Sequence, residues 1–477
     1  MLIEPLDPRR LMASFDSREG PPLGLDESFG HAGQIEFRRG FVASGPIVTV
    51  GRAIFVPGEV SLDGRDGVPY VVKLRDSGKI DTTFGVNGYA QLPFRNREEY
   101  DDVNEPSDSK PAFEFTQMIA DPVGGGVYIA TVQRQGYYFG TRASVTRLTA
   151  SGTLDARFGT GGTYSYDEKI PDGRFPFASA RFTNLNALKD GSLVLALDRQ
   201  TRTDDEYTAV GLQNLALLKL RPNGRRDLFY GDRGAVQLLS GNVGIVSDNP
   251  TYSGGTLRDV KRAFFNDLQT DKRGNTTVLF RYEDGISTGA YYDINENDEA
   301  TRGRFDLKSR TVSSTGVVDE STAYSWKLID TGRDVSQEEY AYDRIKVPNA
   351  VFDGRVIRVL VTRGSYLSEE GAVYTLRPGL RATSQPLQPD KFSAVFSMQR
   401  ASTGQYFFSN DIQIARYNAD FTPDITFGDN GIANDTTDNF LNTDHDEVRQ
   451  AVGGLLPDAT GRFLALNTNG TTLYRFA

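Results

Sequence analysis

The chain has 477 residues, 63 acidic against 53 basic side chains and no cysteine, for a formal charge of -10. That balance disfavours nucleic acid or an anionic membrane surface as a partner, since both reward basic patches, and it leaves packing alone to hold the fold. No run approaches the roughly 18 apolar residues of a membrane helix, while 49 Gly and 22 Tyr fit a turn-rich all-β protein.

Residues 1 to 20 read as a leader outside the folded body. Glu4, Asp7, Arg9 and Arg10 interrupt its first fifteen positions, so an ordinary signal-peptide core is not expected there. At Leu25 a phrase begins, Leu25-Asp26-Glu27-Ser28-Phe29-Gly30, followed three residues later by Gly33. It recurs as Ile80-Asp81-Thr82-Thr83-Phe84-Gly85 with Gly88, as Leu154-Asp155-Ala156-Arg157-Phe158-Gly159 with Gly162, and as Pro423-Asp424-Ile425-Thr426-Phe427-Gly428 with Gly431. A degraded copy stands at Arg226-Asp227-Leu228-Phe229-Tyr230-Gly231, and the phrase is lost from about 285 to 385. An Asp opening a turn bonds the backbone two residues on, glycine supplies positive φ, and the Phe is an anchor worth roughly 1.5 to 3 kcal/mol when buried. A group repeated in every unit is structural, because catalysis at one site needs each group once.

Ahead of the phrase lies an apolar, β-branched run, as in Tyr70 to Leu74, Ser144 to Leu148 and Ile412 to Tyr417. Ahead of that lies a second run led by a glycine turn. Seven such second runs, read as inner strands, fall near Ala53 to Pro57, Val127 to Ala130, Ser192 to Ala196, Thr276 to Phe280, Val356 to Val361, Gln405 to Phe408 and Arg462 to Leu466. With the segment before the glycine turn and the one after the phrase, each unit holds about four strands. Seven four-stranded units predict an all-β fold, a seven-bladed β-propeller over residues 24 to 477 as one domain. The chain ends on a strand without its phrase and begins on a phrase without its strand. The two termini are therefore expected to share one blade and close the ring.

A glycine-led strand, a strand ending near Arg-Leu or Arg-Tyr, a turn and Leu-Asp-x-x-Phe-Gly-x-x-Gly resemble the delta-60 repeat, a bacterial propeller-type repeat. The match is best at 70 to 88, 144 to 162 and 412 to 431, and weaker at 188 to 234. Pro5-Leu6-Asp7-Pro8-Arg9-Arg10-Leu11-Met12 resembles the Leu-Glu-Pro-Arg-x-Leu-Leu segment near the N-termini of exported planctomycete proteins, with Asp7 in place of Glu and Met12 in place of the last Leu. These resemblances imply a bacterial surface or secreted protein, extracellular or in the cell envelope, and bring no catalytic residues with them.

Candidate chemistry is sparse. His31 and His445 are too few for a metal triad and read as surface histidines; no His-Glu-x-x-His, Gly-x-Ser-x-Gly or phosphate-loop pattern occurs. Asp293 to Glu299 alternates oxygen ligands as a calcium loop does, but Asp298 stands where glycine is required and Arg304 where a bidentate Glu is, so it reads as a solvated loop. Acidic clusters at Glu98, Glu99, Asp101 and Asp102, at Asp204, Asp205 and Glu206, and at Glu338 and Glu339 are the places for a carboxylate pair of glycoside chemistry. No catalytic, cofactor-binding or metal residue is assigned. Insertions at 94 to 112, 167 to 183, 199 to 212, 240 to 263 and 329 to 343, with Tyr100, Tyr207 and Tyr252, are the expected contact surfaces. The reading is a monomeric, non-enzymatic binding or structural module that contacts protein or carbohydrate, without nucleic acid, cofactor or membrane insertion. The alternative is a polysaccharide-active enzyme, a hydrolase or lyase, with acids at one mouth of the ring.

Overall fold

The computed structural model describes residues 26 to 476 except 27, 32, 38–39, 61–66, 94–112, 135–140, 168–175, 206–207, 250–255, 290–301, 331–343, 355, 366–367, 379, 381, 388–396, 402, 410–412, 428–430, 435–455, 458–461 and 467–470. Every named element among the described residues is a strand. After β1 (Gln34–Glu36), blade I is β2 (Phe41–Ala43), β3 (Val48–Val50), β4 (Ala53–Val60), β5 (Val68–Arg75) and β6 (Tyr89–Gln91), its first strand being split between β2 and β3, which both pair with β4. Blade II is β7 (Phe113–Ala120), β8 (Val127–Arg134), β9 (Thr141–Leu148) and β10 (Thr163–Asp167); blade III is β11 (Pro176–Ala187), β12 (Leu193–Asp205), β13 (Thr208–Leu220) and β14 (Ala235–Asn249). Blade IV follows as β15 (Thr256–Thr270), β16 (Thr276–Gly289), β17 (Arg302–Val312) and β18 (Val318–Asp330), and blade V as β19 (Arg344–Asp353), β20 (Val356–Ser365), β21 (Ser368–Leu376) and β22 (Thr383–Pro386). Blade VI is β23 (Ser397–Arg400), β24 (Tyr406–Ser409), β25 (Gln413–Tyr417) and β26 (Ile432–Asn434). Blade VII is β27 (Leu456–Pro457), β28 (Phe463–Leu466), β29 (Thr472–Phe476) and, returning from the start of the chain, β1.

The seven blades form a ring, a seven-bladed β-propeller. Closure is by β1 on β29, antiparallel, with Gln34 opposite Tyr474, Ile35 opposite Leu473 and Glu36 opposite Thr472. First strands of successive blades touch, β7 on β11, β11 on β15, β15 on β19, β19 on β23 and β23 on β27. The seven glycine-led runs are therefore the second strands of their blades, and the strand before each of them lies innermost. The reason they dominate the sequence is burial on both faces. In β12, Leu195 faces blade II's Tyr128 and Phe158, whereas Val194 and Ala196 face blade IV's Val278 and Phe280. A strand sandwiched between neighbouring blades reads as a continuous apolar run.

The core is correspondingly divided. Seven clusters of buried apolar side chains lie one at each of the seven blade-to-blade interfaces. Phe29, Phe41 and Leu473 join blades VII and I, Phe55, Phe84 and Ile129 join I and II, and Phe407, Phe427 and Phe463 join VI and VII. Two of the expected loops are largely strand instead, and the last part of a third, 167–183, is the start of β11 at Pro176. Residues 199–205 and 208–212 extend the β12–β13 hairpin, with Arg199 opposite Asn214 and Asp205 opposite Thr208, and β14 and β15 run through most of 240–263. Their polar sequences lack the apolar alternation that marks a half-buried strand. The distal ends of β14 and β15 pair with each other, Ile245 opposite Val260, so blades III and IV share one eight-stranded sheet.

Candidate functional site

The repeated phrase builds a latch between blades. Its Asp accepts from the backbone N–H two residues on, at Ser28, Thr83, Arg157 and Thr426. The Asp carbonyl accepts from the N–H of the anchor aromatic, Phe29, Phe84, Phe158, Tyr230 or Phe427. The carboxylate then meets a cation from the third strand of its blade: Arg475 to Asp26 at 2.8 Å, Lys73 to Asp81 at 3.1 Å, Arg147 to Asp155 at 3.0 Å, Lys219 to Asp227 at 3.7 Å and Arg416 to Asp424 at 2.9 Å. In four copies the same cation lies over the anchor ring, at 4.5 Å for Arg475 and Phe29 and 4.6 Å for Arg416 and Phe427. Arg147 instead covers Tyr128, whose ring packs on Phe158.

The phrase glycine completes the latch across the interface. Gly30, Gly85, Gly159 and Gly231 donate their N–H to the carbonyls of Ser77, Ser151, Asn223 and Thr315 in the next blade, at 2.7 to 2.9 Å. Each receiving turn carries a glycine of positive φ against that N–H. A Cβ on Gly224 would stand 2.4 Å from the Gly159 nitrogen, and one on Gly316 2.1 Å from that of Gly231. The Thr83 hydroxyl and the Lys73 ammonium hold the Asp81 carboxyl down at about 2. For Asp424, burial works toward a higher value but is outweighed by hydrogen bonds from Thr426 and by Arg416, so its carboxyl also sits low.

A cleft of about 770 Å³ lies elsewhere, bounded by Leu92 and Pro93 of blade I, one face of blade II, and the Gly224 to Arg226 turn of blade III. The lower part of that face, Val127, Ile129 and Leu148, packs on blade I. Farther along the same strands the side chains turn polar. Thr131 lies opposite Ser144 and Gln133 opposite Arg142, while β10 sets Thr163 opposite Thr146 and Ser165 opposite Ser144. The Ser144 and Ser165 hydroxyls are 3.1 Å apart, as are those of Thr146 and Thr163. Thr131, Gln133 and Thr146 are buried in its floor. Sequence reading did not single out these residues. The available signal was the change from apolar Val127 to Ala130 to a stretch with polar Thr131, Gln133 and Arg134 within one strand.

His31 is exposed beside the N-terminal phrase, where its backbone pairs with Gln34. His445, Asp293 to Glu299, Glu98, Glu99, Asp101, Asp102, Glu206, Glu338, Glu339, Tyr100, Tyr207 and Tyr252 lie outside the described residues, as does the leader from Pro5 to Met12. Asp204 and Asp205 belong to the end of β12. Among the described residues no group of three His, Asp or Glu side chains is gathered as metal ligands.

No family model matches the chain, and no curated protein matches it. Solved structures with similar chain paths include a protein of unknown function from Bacteroides caccae, 11% identical, covering 82% of this chain and 92% of that one with a TM-score of 0.33. A gluconolactonase from Xanthomonas campestris is 10% identical over 78% of this chain and 98% of its own, with a TM-score of 0.27. The Nup133 β-propeller domain of Vanderwaltozyma polyspora is 12% identical over 83% and 96%, with a TM-score of 0.28. The set mixes enzymes and non-enzymes, and at these values no activity passes from any of them to this chain.

Proposed function

We propose that this chain is a non-enzymatic binding module, a monomeric propeller of delta-60-like repeats that is exported or held at the cell surface and contacts a carbohydrate or protein. The observation that carries the reading is where the recurrent ionisable residues go. In five copies the phrase carboxylate is paired with a third-strand cation, so the recurrent charges of the repeat are committed to holding the latch in shape. Variation is left to the cleft on blade II and to the connections, which is how a scaffold presents a recognition surface. The delta-60 assignment is supported by the phrase and by the positive φ of Gly30, Gly33, Gly85, Gly88, Gly159 and Gly162.

The test is a binding screen of the purified chain against glycans and envelope proteins, run beside an assay for newly released reducing ends or unsaturated sugars. Saturable binding without turnover is the expected result, and turnover of any glycan overturns the non-enzymatic reading in favour of the polysaccharide-active one. Fractionation of the native host is expected to place the chain in the envelope or medium. A signal confined to the cytosol contradicts export.

A further inference from the structure

We propose that the cleft between blades I and II is a binding site for an acidic, uronate-containing oligosaccharide, with carboxylates met by Arg225 and Arg226 and sugar hydroxyls met by the Ser and Thr ladder of blade II. This rests on the reading of the chain as a binding module. The first argument is charge. Among the described residues the cleft lining contains three arginines and not one Asp or Glu, in a chain whose formal charge is -10. Arg142 is already engaged, but among the described residues neither Arg225 nor Arg226 has a carboxylate partner, and the Arg226 Nε is buried with no hydrogen-bond partner. Arg225 is exposed and Arg226 half-buried, and a guanidinium without a carboxylate partner is a donor fork suited to one.

The second argument is position. Arg226 opens the blade III phrase, where the other copies carry Leu25, Ile80, Leu154 and Pro423. The latch does not need a cation there, since Lys219 supplies the one that meets Asp227. Arg226 is thus a departure from the repeat at the one phrase whose first residue lines the cleft.

The third argument is hydrogen-bonding capacity. Thr131, only 5% exposed, lines the cleft and makes no side-chain hydrogen bond among the described residues. In the Ser144–Ser165 and Thr146–Thr163 pairs one hydroxyl donates to the other, which leaves one O–H hydrogen per pair and several lone pairs facing the cleft. Sheet geometry spaces these groups about 5 Å across strands and about 7 Å along them. A polyhydroxylated chain meets such a ladder with donor and acceptor at each step, while the exposed Pro93 of blade I offers apolar surface to the sugar's C–H face.

The experiment titrates an oligogalacturonate, and its methyl ester with the same backbone but no charge, into the full chain, R226L and T131V by calorimetry. R226L places a side chain that the first and third phrases already carry, and T131V removes a hydroxyl that has no partner among the described residues, so both are expected to keep the wild-type thermal midpoint. The uronate is expected to bind wild type at least about tenfold more tightly than the ester, to weaken about ten- to a hundredfold in R226L, and to weaken several-fold in T131V. No uronate binding at about 1 mM, or equal binding of the ester, overturns the proposal. Equal binding by wild type and R226L, both folded, also overturns it and leaves the module reading intact, with the ligand seated elsewhere. Cleavage of the uronate with loss of binding in R226L supports the cleft while overturning the module reading.

Discussion

Around the rim from blade VII through blade IV, successive blades are joined by the phrase: a carboxylate, a third-strand cation, an anchor ring and a glycine N–H reaching the next blade's turn. Between blades IV and V and between V and VI the phrase is absent and the joints sit differently. There Asp267, on the bulged first strand of blade IV, accepts from Leu268 N–H at 2.7 Å and from Phe352 N–H of blade V at 2.9 Å. Tyr406 of blade VI donates to Asp353 of blade V at 2.7 Å, with Arg400 paired to the same carboxylate at 2.8 Å. The electrostatics differ in sign. In the rim latches the carboxylates of Asp26, Asp81 and Asp155 are held low by donors and cations, with Asp81 at about 2, whereas burial pushes that of Asp267 up. A repeat can therefore lose its signature phrase and keep its place in the ring, provided apolar packing and a buried acceptor take over the interface, as Leu279, Trp326 and Ile357 do here.

The largest effect is expected where the ring closes. Deleting residues 472–477 removes β29, which pairs with both β28 and β1, and with it Arg475, 3% exposed and bonded to Asp26 and Asp76 across the blade VII–I joint. It also exposes sheet edges. The truncated chain is expected to lose its cooperative unfolding transition, while deletion of residues 1–20 is expected to leave the melt unchanged; equal, small losses from both would break the closure.

Within a single latch the cation is the next most costly part. Arg147 bridges Asp121 at 2.8 Å and Asp155 at 3.0 Å, two carboxylates that are almost fully buried. R147A leaves Asp121 without its cation and Asp155 with only the exposed Arg157, and is expected to lose about 3 to 5 kcal/mol in chemical denaturation. R157A removes an exposed partner of the same Asp155 and is expected to change stability by less than about 0.5 kcal/mol. Similar losses in the two variants would mean that the latch is an ordinary surface ion pair.

The blade count and ring closure were legible in the sequence for physical reasons. Strands such as Val127 to Ala130 and Leu193 to Leu197 are buried on both faces, so each announces itself as an unbroken apolar run, and the unit divided between the strand ending at Phe476 and the phrase at Asp26 marks the shared blade. Innermost strands were harder to see. Leu456–Pro457 has two residues, and the first strand of blade I is broken between Ala43 and Val48. The cleft was not legible at all, because Thr131, Ser144 and Thr163 come from three strands and meet only through the registers of β8 on β9 and β9 on β10. Besides the polar turn of β8, its sequence trace is Arg226 in an apolar slot, which looks like decay of the repeat until Lys219 is seen to serve that latch instead.

The glycines of the receiving turns separate latch from backbone preference. Gly224 and Gly354 both have positive φ, 72° and 62°, yet a Cβ on Gly224 would stand 2.4 Å from the Gly159 nitrogen and 2.9 Å from the Phe158 ring, while one on Gly354 would meet nothing within 4 Å. G354A is expected to cost about 1 to 2 kcal/mol from the left-handed conformation alone. G224A adds displacement of the latched blade and is expected to cost about 2 to 4 kcal/mol. Equal costs would mean that the close approach across the blade II–III joint contributes nothing.

The smallest effects are expected with pH, and they carry the sharpest form of the contrast between rim and buried joints. Asp81 is lower in the folded chain than its ordinary 3.8, so its contribution is complete above about 3.8 and disappears as pH falls toward about 2. Asp267 is raised by burial, so the folded chain takes up its proton first. Its contribution is complete below about 3.8 and is lost as pH rises through the raised value. Acidification from neutrality should thus first strengthen the blade IV–V joint and then, below about pH 4, weaken the rim. Denaturant midpoints measured across this range are expected to fall less steeply below pH 4 in D81N than in wild type. In D267N the early gain is expected to vanish, so that its loss from neutral to acid pH exceeds that of wild type. The same change of slope in both variants would show that the two kinds of joint answer to protons alike and would dissolve the distinction between them.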